Sequence, residues 1–404
     1  MTLSAWVILL TYGLIVTFWK ALHTLLFFYK PHRYFLSRKN KRRTSDDGPL
    51  VSILLAAKDE EGNIGDCIRS VLTSAYTHFE LIVIDDRSQD RTADEVRQAA
   101  AGDPRVRLLQ VRELPAGWTG KMNAVRQGLN AAKGDVILIM DADTRHNEAT
   151  LGAALYQFER KKIGLLSLLP RFDHPHWFSK MVQPLVGTLV FLWKPLPWVN
   201  SRKRPRVAMG WGGFLMVRRE VLERIGGLET VKDCFAADIA LVRKVKQAGQ
   251  RVRVLHGPEL VATHMYDSLH DVIRGWTRLL RITADNSKPL LFGTLLALGP
   301  LCLLAYPMIA LGLAALWRGT GHELSLLLGG MGLTHLFFQI TLFGRFYRIG
   351  GTSPMYSLGH LPGVLFVGYL TWLAWRRAGT TQMSWRGTVY QLNHDGRAVT
   401  AKSA

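Results

Sequence analysis

Two acidic residues stand at the end of a short apolar segment, where carboxylates can bind a cation. The segment Val136–Met140 leads directly into Asp141, Ala142 and Asp143. An apolar run of this length is typical of a strand buried on both faces, as in the centre of a parallel sheet. Open α/β sheets bind ligands at the carboxyl ends of their strands, and acids one residue apart can share one hard cation. The pattern predicts a site for one hard cation, with two solvated loop acids as the alternative.

Further acids follow the two predicted strands that come earlier in the chain. Glu60 lies just beyond Val51–Ala57, and Asp85 and Asp86 directly follow Glu80–Ile84. Because the carboxyl ends of parallel strands meet at one edge of a sheet, we expect these acids to lie near Asp141 and Asp143. One acid after a strand would carry little weight, whereas three successive groups indicate a site.

A lysine adds a positive charge to this set of acids. Lys121 follows Gly117-Trp118-Thr119-Gly120 and can meet a diphosphate, although taken alone it is an ordinary solvated lysine. The chain has neither a G-x-G-x-x-G motif nor a Walker loop, so neither a hydride cofactor nor an NTPase is supported. His174 and His176 lack further ligands at metal-binding spacing, and we expect them in a loop.

The hydrophobic pattern alternates between strands and helices from residue 51 to residue 264. Short apolar runs predict strands, and longer amphipathic stretches predict helices. This alternation predicts an α/β fold with a mostly parallel sheet flanked by helices. The predicted strands are Val51–Ala57, Glu80–Ile84, Val106–Gln110, Val136–Met140, Gly164–Leu169, Arg251–Leu255 and Leu260–His264, and the main predicted helices are Thr92–Ala101, Lys121–Ala132, Glu148–Arg160, Asp238–Gln247 and Leu269–Arg281.

Long apolar runs at both ends of the chain predict transmembrane helices. The 404 residues are 48% apolar and only 20% charged, and the two classes are segregated along the sequence. The first run lacks the basic start and the small-residue cleavage site of a signal peptide, so we expect an uncleaved anchor. The runs near spanning length are Leu3–Tyr29, Leu290–Leu316, Leu324–Phe343 and Met355–Trp375.

The net charge of +20 is concentrated beside apolar stretches, which favours a membrane surface over nucleic acid. The basic segment Lys30–Arg43 follows the first run, so the positive-inside rule predicts a cell (inner) membrane protein whose next domain faces the cytoplasm. Phe178–Val199 is interrupted by Pro184, Lys194, Pro195 and Pro197. It is predicted to lie along the membrane surface, with a transmembrane helix as the alternative. The three widely spaced cysteines predict a reducing compartment.

These features predict a membrane anchor at residues 1–30, a cytoplasmic catalytic domain at 31–288, a transmembrane region of about three helices at 289–376 and a tail at 377–404. Four spans would put the tail opposite the catalytic domain, although Arg376, Arg377 and Arg386 favour the cytoplasm. We therefore expect one run to be re-entrant or interfacial. Gly299-Pro300 and Pro307 single out the first C-terminal run.

The order of several motifs resembles that of family 2 inverting glycosyltransferases with the GT-A fold. The matching pieces, between Val51 and Arg281, are VSILLAAKDEEGNI, VIDDRS, WTGK, MDAD, GGFLMVRREVLERIGG and AADIALVRKVKQAG. Leu114–Lys121 and the segment LLPRFDHPHWFSKMVQPLVG are similar to hopanoid-associated and carotenoid-acid glycosyltransferases and, more distantly, to ceramide glucosyltransferases. The terminal WRGTVY resembles a piece shared by these membrane enzymes.

The resemblance implies a donor site for a UDP-sugar. Ala57 and Glu60 would line the nucleoside pocket, and Asp85 would accept from the uracil ring with Asp86 nearby. Lys121 would contact the diphosphate. The resemblance also implies metal ligands: Asp141 would meet the ribose or the metal, and Asp143 would bind Mg²⁺ or Mn²⁺ bridging the diphosphate.

The resemblance also implies a catalytic base, Asp238, which removes the acceptor proton during an inverting attack. Its other interpretation is an acid in the first turn of a helix. The family usually has an acid before the base, where this chain has Ala237. Membrane relatives often carry a Q/R-x-x-R-W motif; here Trp276 matches, and Arg274 or Arg278 would replace the arginine. A basic helix on anionic lipid is the alternative for these residues.

The predicted function is therefore inverting transfer of a hexose, with glucose expected, from a UDP-sugar to a membrane lipid such as a hopanoid, carotenoid or ceramide-like lipid. The alternatives are a processive polysaccharide synthase and a non-catalytic membrane protein with a decayed sugar-nucleotide domain. A transporter is disfavoured because the C-terminal runs are few and lack intramembrane charge pairs.

Overall fold

The structure is a computed structural model that describes residues 3–28, 31–40, 42–43, 48–173, 176–266, 268–319, 323–380, 382–385, 388–392 and 398–403. The chain divides into two compact units. The sheet unit comprises Tyr34–Asp173, Phe191–Met265 and Gly379–Ala404, and the helical unit comprises Met1–Arg33, His174–Val190 and Tyr266–Ala378. The segments 174–190 and 266–288, which fall inside the predicted catalytic domain, therefore group with the apolar helices.

The strands are β1 (Val51–Ala57), β2 (Phe79–Asp86), β3 (Val106–Val111), β4 (Val136–Asp141), β5 (Thr144–His146), β6 (Leu165–Leu169), β7 (Arg171–Phe172), β8 (Leu215–Arg218), β9 (Val252–His256), β10 (Val261–Thr263), β11 (Gln382–Trp385), β12 (Thr388–Leu392) and β13 (Ala398–Ser403). The α-helices are α1 (Leu3–Phe28), α2 (Ile64–Leu72), α3 (Thr92–Ala100), α4 (Gly120–Ala131), α5 (Thr150–Arg160), α6 (Trp177–Trp193), α7 (Leu196–Val199), α8 (Arg219–Arg224), α9 (Ala237–Gln247), α10 (Leu269–Thr283), α11 (Lys288–Leu298), α12 (Ala305–Trp317), α13 (Glu323–Ile349) and α14 (His360–Arg377). Short 3₁₀ turns lie at Pro31–Tyr34, Leu228–Val231 and Pro354–Gly359, and a π-helical turn lies at Gly299–Leu303.

A seven-stranded sheet forms the core of the sheet unit, in the order β3-β2-β1-β4-β8-β6-β9. The pairs on the β3 side of β4 are all parallel, as is the β6–β9 pair. Only β8 runs antiparallel to its neighbours β4 and β6. This mostly parallel sheet with flanking helices confirms the predicted GT-A class, whereas β8 was not predicted because it is only four residues long and follows a glycine-rich segment.

The strand register explains why the predicted acids converge. Ala57, the last residue of β1, pairs with Asp85 of β2, and Ala56 pairs with Asp141 of β4. Asp85 and Asp141 therefore lie on either side of the carboxyl end of β1. The interiors of these strands are apolar and buried, which fixes the sheet position from which both carboxylates project.

The C-terminal segment, for which the sequence predicted no secondary structure, forms a small antiparallel sheet. Strands β11, β12 and β13 pair in that order, with an irregular register at Gln391/Leu392. We call these three strands the C-terminal sheet. Its residues belong to the sheet unit, although they follow the apolar helices in the chain.

The helical unit contains four helices that are long and apolar enough to cross a membrane by length and composition: Leu3–Leu25, Lys288–Trp317, Glu323–Ile349 and Pro354–Arg377. They confirm the four predicted apolar runs. Helix α6 continues through Pro184, which had been expected to break it, and ends at Trp193, next to the breaks that were predicted at Lys194 and Pro195. Within the helical unit, Gly359 and Gly363 lie against Met181, which belongs to α6.

A polar cluster is buried among the apolar helices. The carbonyl of Leu301, inside the π-helical turn, accepts hydrogen bonds from Trp19 Nε1 (2.6 Å), His335 Nε2 (2.9 Å) and Gln339 Nε2 (2.6 Å). Tyr12 bonds to the other ring nitrogen of His335 at 3.1 Å. A π-helical turn interrupts regular backbone bonding, and these side chains supply donors at that place.

Candidate active site

Two loops at the carboxyl edge of the sheet are joined by hydrogen bonds between main chain and side chains. The amide of Asp59, after β1, donates to Ser88 Oγ at 3.0 Å, and the amide of Glu60 donates to Thr92 Oγ1 at 2.8 Å. Asp59 and Arg87 both adopt left-handed backbone conformations, with φ of 52° and 59°. Such conformations in non-glycine residues need surrounding support and concentrate at functional sites.

The β2 end of the site holds two buried acids with different partners. Asp85 accepts from the amide of Ser88 at 3.1 Å and from Gln110 Nε2 at 3.4 Å. Asp86 accepts from Arg87 Nε at 2.8 Å and from Arg87 Nη2 at 3.1 Å. These hydrogen bonds raise the pKa of Arg87, and the nearby Tyr390 adds a smaller contribution. The charge of Asp86 is thus compensated by an arginine, whereas Asp85 accepts hydrogen bonds from neutral groups.

Lys121 and two carboxylates surround one point in the structure. Lys121 forms an ion pair with Asp141. A Cβ placed on Gly212 would lie 3.0 Å from Lys121 Nζ, 3.6 Å from Asp141 Oδ2 and 3.7 Å from Asp238 Oδ2. Glycine therefore leaves open the space between a cation, a strand-end acid and the predicted base. This arrangement brings together three of the residues that the sequence predicted.

The charges of this group act on one another. Burial alone would lower the pKa of Lys121, but Asp141, Asp238 and Asp143 together raise it. Burial raises the pKa of Asp238, and Lys121 opposes that rise. Lys121 therefore stays protonated at neutral pH, and Asp238 binds a proton more readily than an ordinary aspartate.

The turn that carries Asp141 and Asp143 is held by hydrogen bonds to its main-chain carbonyls. Thr144 Oγ1 donates to the carbonyl of Asp141 at 2.8 Å, and the amide of His264 donates to the carbonyl of Asp143 at 3.0 Å. Among the described residues, no group of three His, Cys, Asp or Glu side chains could hold a metal ion by itself. The turn offers closely spaced carboxylates rather than a complete cage of protein ligands.

The predicted base, Asp238, lies in the first turn of α9, and the segment before it is hydrogen-bonded to the segment before Lys121. The amide and hydroxyl of Thr119, next to the start of α4, both donate to the carbonyl of Lys232, at 2.8 and 3.3 Å. Lys232 also lies 5.8 Å from the centre of the Trp118 ring. The segment that leads to Asp238 is therefore fastened to the segment that carries Lys121.

The remaining predicted residues occupy different places. Ala57 is buried at the end of β1, and Glu60 Oε2 accepts from Asn63 at 3.1 Å. Arg274, Trp276 and Arg278 lie on α10 of the helical unit, with Arg274 exposed, Trp276 buried and Arg278 half-buried; their contact with the donor stays a prediction. His174 is outside the described residues, and His176 stacks on Phe178 at 5.2 Å.

Sequence reasoning missed two residues at this site. Gly212 belongs to a glycine-rich segment that was noted without a role, and the paired glycines of GWGG were its only signal. Tyr390 belongs to the WRGTVY motif, and its hydroxyl accepts from the amide of Gly120 at 3.2 Å. The motif was noticed, but nothing in the sequence indicated its partner.

A mostly parallel sheet with acids and a lysine at its carboxyl edge, together with the ordered motifs, defines a glycosyltransferase. The chain matches Glycosyl transferase family 21 over residues 7–398. It belongs to that family, and it is a membrane protein of the class that the motifs predicted.

Relatives with known names are similar to large parts of the chain. A 4,4'-diaponeurosporenoate glycosyltransferase of Staphylococcus haemolyticus is 24% identical over 290 residues, covering 70% of this chain and 74% of the relative. A beta-monoglucosyldiacylglycerol synthase of Trichormus variabilis is 27% identical over 197 residues, 46% of this chain and 39% of the relative. The solved structure of a Pyrobaculum calidifontis mannosyltransferase with GDP-Man and Mn²⁺ aligns with 91% of this chain and 98% of its own, at 16% identity and a TM-score of 0.49.

Proposed function

We propose that this glycosyltransferase moves a hexose, with inversion, from a UDP-sugar to a hydroxyl or carboxyl group of a membrane lipid. The observation that carries the proposal is the group of Lys121, Asp141 and Asp238 around the open space at Gly212. A lysine can meet a diphosphate, and a carboxylate a few ångströms away can take a proton from the attacking acceptor. Donor and acceptor chemistry would thus meet at one point.

The proposed donor site is formed by residues at the carboxyl ends of β1, β2 and β4. Asp85 is buried and held by neutral groups, which suits hydrogen bonding to a uracil ring. Ala57 is a small residue at the end of β1 beside Asp85, and Glu60 follows it in the loop. Lys121 would exchange its partner Asp141 for a phosphate oxygen when the donor binds.

The same residues fit a divalent cation that is shared with the donor. Asp141, Asp238 and Asp143 all raise the pKa of Lys121, so the negative charge near this lysine exceeds its single positive charge. Mg²⁺ and Mn²⁺ sites of this kind use one or two carboxylates plus substrate phosphates and water. Asp143 and Asp141 would hold the ion, which supplies electrostatic stabilisation of the departing diphosphate.

Asp238 is the group proposed to take the acceptor proton. It lies in the first turn of α9, and burial raises its pKa, which strengthens it as a base relative to a solvated aspartate. Ala237, which precedes it, removes one acid found elsewhere in the resembling family. Asp238 lies close to Lys121 and Asp141, which supports its role as a base that acts without an acid at the preceding position.

The acceptor is proposed to come from the bilayer. Four helices have the length and composition of membrane spans, and α6 groups with them through residue 190. The names of the relatives contain a carotenoid acid and a glucosylated diacylglycerol, which are both membrane lipids. A lipid acceptor and a water-soluble donor can meet only at the membrane surface, so we propose that 178–199 lines the acceptor entrance.

The position of the C-terminal sheet supports a cytoplasmic tail. It also supports an even number of membrane crossings between α10 and the C-terminal sheet. Tyr390 contacts Gly120 inside the sheet unit, so the tail and the catalytic residues share one side of the membrane. If Lys288–Trp317 and Glu323–Ile349 cross, Arg345 and Arg348 return to the cytoplasm, as the positive-inside rule favours. The least apolar helix, Pro354–Arg377, would then lie along the interface, rather than the first C-terminal run.

This topology can be tested with Gln391, which is exposed on β12. A cysteine at this position should react with a membrane-impermeant maleimide only after the cells are opened. The parent chain, with its own three cysteines, is the control for background labelling. Labelling of Gln391→Cys above that background in intact cells would contradict the cytoplasmic tail.

The proposed reaction predicts a labelled lipid and a metal requirement. Membranes containing the protein should transfer label from radiolabelled UDP-glucose to an extractable lipid when Mn²⁺ or Mg²⁺ is present. Asp143→Ala should reduce that transfer by about 10²-fold or more, because a metal ligand for the leaving group is lost. Asp94→Asn is the control, because Asp94 is exposed and forms an ion pair with Arg97, three residues away in α3.

Two results would count against this proposal. Label in a long polymer, rather than in a lipid, would indicate a processive synthase. Absence of metal-dependent UDP binding in calorimetry, together with absence of transfer, would indicate a non-catalytic protein.

A further inference from the structure

We infer that Tyr390 is a positioning residue that couples the diphosphate side of the site to the base side. The inference rests on the proposed function, because it assigns Lys121 and Asp238 to those two sides. Tyr390 is 2% exposed on the central strand of the C-terminal sheet. It has a separate contact with each of the two sides.

The hydroxyl of Tyr390 is bonded at the start of α4. The amide of Gly120, the first residue of that helix, donates to the hydroxyl at 3.2 Å. Amides in the first turn of a helix have no partner within the helix, so an external acceptor fixes where the helix begins. Lys121 is the next residue. The hydroxyl therefore helps to set the position of the lysine proposed to contact the diphosphate.

The ring of Tyr390 packs on the segment that leads to the base. Phe235 meets the ring edge to face, with centroids 4.9 Å apart and planes at 84°. Phe235 stands three residues before Asp238, immediately before α9. Edge-to-face pairs favour one relative orientation, so this contact restrains the approach to α9.

The two contacts give Tyr390 a role that ordinary packing would not have. The amide and hydroxyl of Thr119 already join the same two segments by donating to the carbonyl of Lys232. Tyr390 adds a second link from a strand about 270 residues away in the chain. It restrains the α4 start with its hydroxyl and the α9 approach with its ring. Removing the hydroxyl and removing the ring should therefore have different kinetic effects.

The test compares Tyr390→Phe, Tyr390→Leu and the control Gln391→Ala in the full chain, purified in lipid nanodiscs. Gln391 is the exposed neighbour on the same strand. UDP release is measured against donor concentration, and UDP binding with Mn²⁺ is measured by calorimetry. Tyr390→Phe loses one hydrogen bond, so we expect donor KM and the UDP Kd to rise about 3- to 10-fold with kcat within about twofold of wild type.

Tyr390→Leu also loses the ring contact, so we expect kcat to fall by roughly a further tenfold as Asp238 becomes less well placed. Gln391→Ala should match wild type in every measurement. The inference would be overturned if Tyr390→Phe kept the wild-type KM, kcat and UDP Kd. It would also be overturned if all three variants changed equally and the changes followed their thermal stability. If the wild type releases no UDP with any donor, the proposed function fails, and the calorimetric comparison still decides whether Tyr390 positions the nucleotide site.

Discussion

The polar cluster of the sheet unit and the polar cluster of the helical unit differ in net charge and in how completely their charges and hydrogen-bonding groups are compensated. In the sheet unit, Lys121 is influenced by three carboxylates, and both Lys121 and Asp141 keep about a third of their side chains exposed. In the helical unit, the donors of Trp19, His335 and Gln339 converge on one carbonyl, and His335 and Gln339 are fully buried.

This difference separates a reactive site from a structural one. A surplus of negative charge in a partly buried space is costly unless a cation or a proton offsets it, so the sheet-unit cluster is suited to binding and proton transfer. A neutral cluster whose donors share one carbonyl compensates for an irregular backbone turn inside apolar surroundings. Substitutions in the two clusters should therefore affect different quantities.

The largest expected effect is in the sheet-unit cluster, at Asp238. Asp238→Asn keeps the size of the side chain but removes the proposed base, so kcat should fall by about 10²–10⁴-fold. The UDP Kd in the presence of Mn²⁺ should stay close to wild type, because the donor contacts are assigned to other residues. Single-turnover transfer and calorimetry on the same preparation measure the two effects.

The pH dependence of the wild type provides the accompanying check. Because burial raises the pKa of Asp238, the acid side of the kcat/KM profile should fall at a pH above the ordinary range for aspartate. Lys121, whose pKa is raised, should stay charged through the neutral range and contribute no loss there. Retention of most activity in Asp238→Asn would mean that another group is the base.

An intermediate effect is expected at Gly212. An added methyl group in Gly212→Ala would lie 3.0 Å from Lys121 Nζ, so the lysine or its carboxylate partners must shift. A misplacement of about 1 Å at a reacting centre can cost about 10²-fold in rate, and we expect this smaller shift to lower kcat/KM roughly tenfold. Steady-state kinetics of UDP release measure it.

Gly257→Ala is the matched control for this substitution. An added Cβ there meets Leu168 and Leu260 at an ordinary 3.7 Å. Its kcat/KM should stay near the wild-type value. Equal activity of the two glycine variants would show that the space at Gly212 is not used.

The acids at the sheet edge and the space at Gly212 also differ in how far the sequence reveals them. Asp85 and Asp141 directly end apolar runs, and parallel strands bring such ends together, so their proximity follows from local pattern. Gly212 precedes the short antiparallel strand β8, whose position between β4 and β6 depends on the whole sheet. Tyr390 reaches Gly120 only after the chain has passed through the apolar helices. Local periodicity contains no information about such contacts.

The smallest effect on catalysis is expected at Gln339, in the helical-unit cluster. Gln339→Leu removes one of three donors to the Leu301 carbonyl, which keeps Trp19 and His335. It also removes Gln339 Oε1, which is buried and has no hydrogen-bond partner among the described residues. These effects oppose each other, so we expect stability to change by at most about 1 kcal/mol and kcat to stay within about twofold.

Thr334→Val is the control for Gln339→Leu, because Thr334 is on the same helix and its exposed side chain donates to a carbonyl one turn earlier. Thermal unfolding in nanodiscs and lipid glycosylation are measured for both variants. If Gln339→Leu lost lipid transfer while UDP binding and the unfolding temperature stayed unchanged, the helical-unit cluster could not be purely structural. In that case the polar groups of the helical unit would have to contact the acceptor, because the helices would be intact and only the second substrate would be affected.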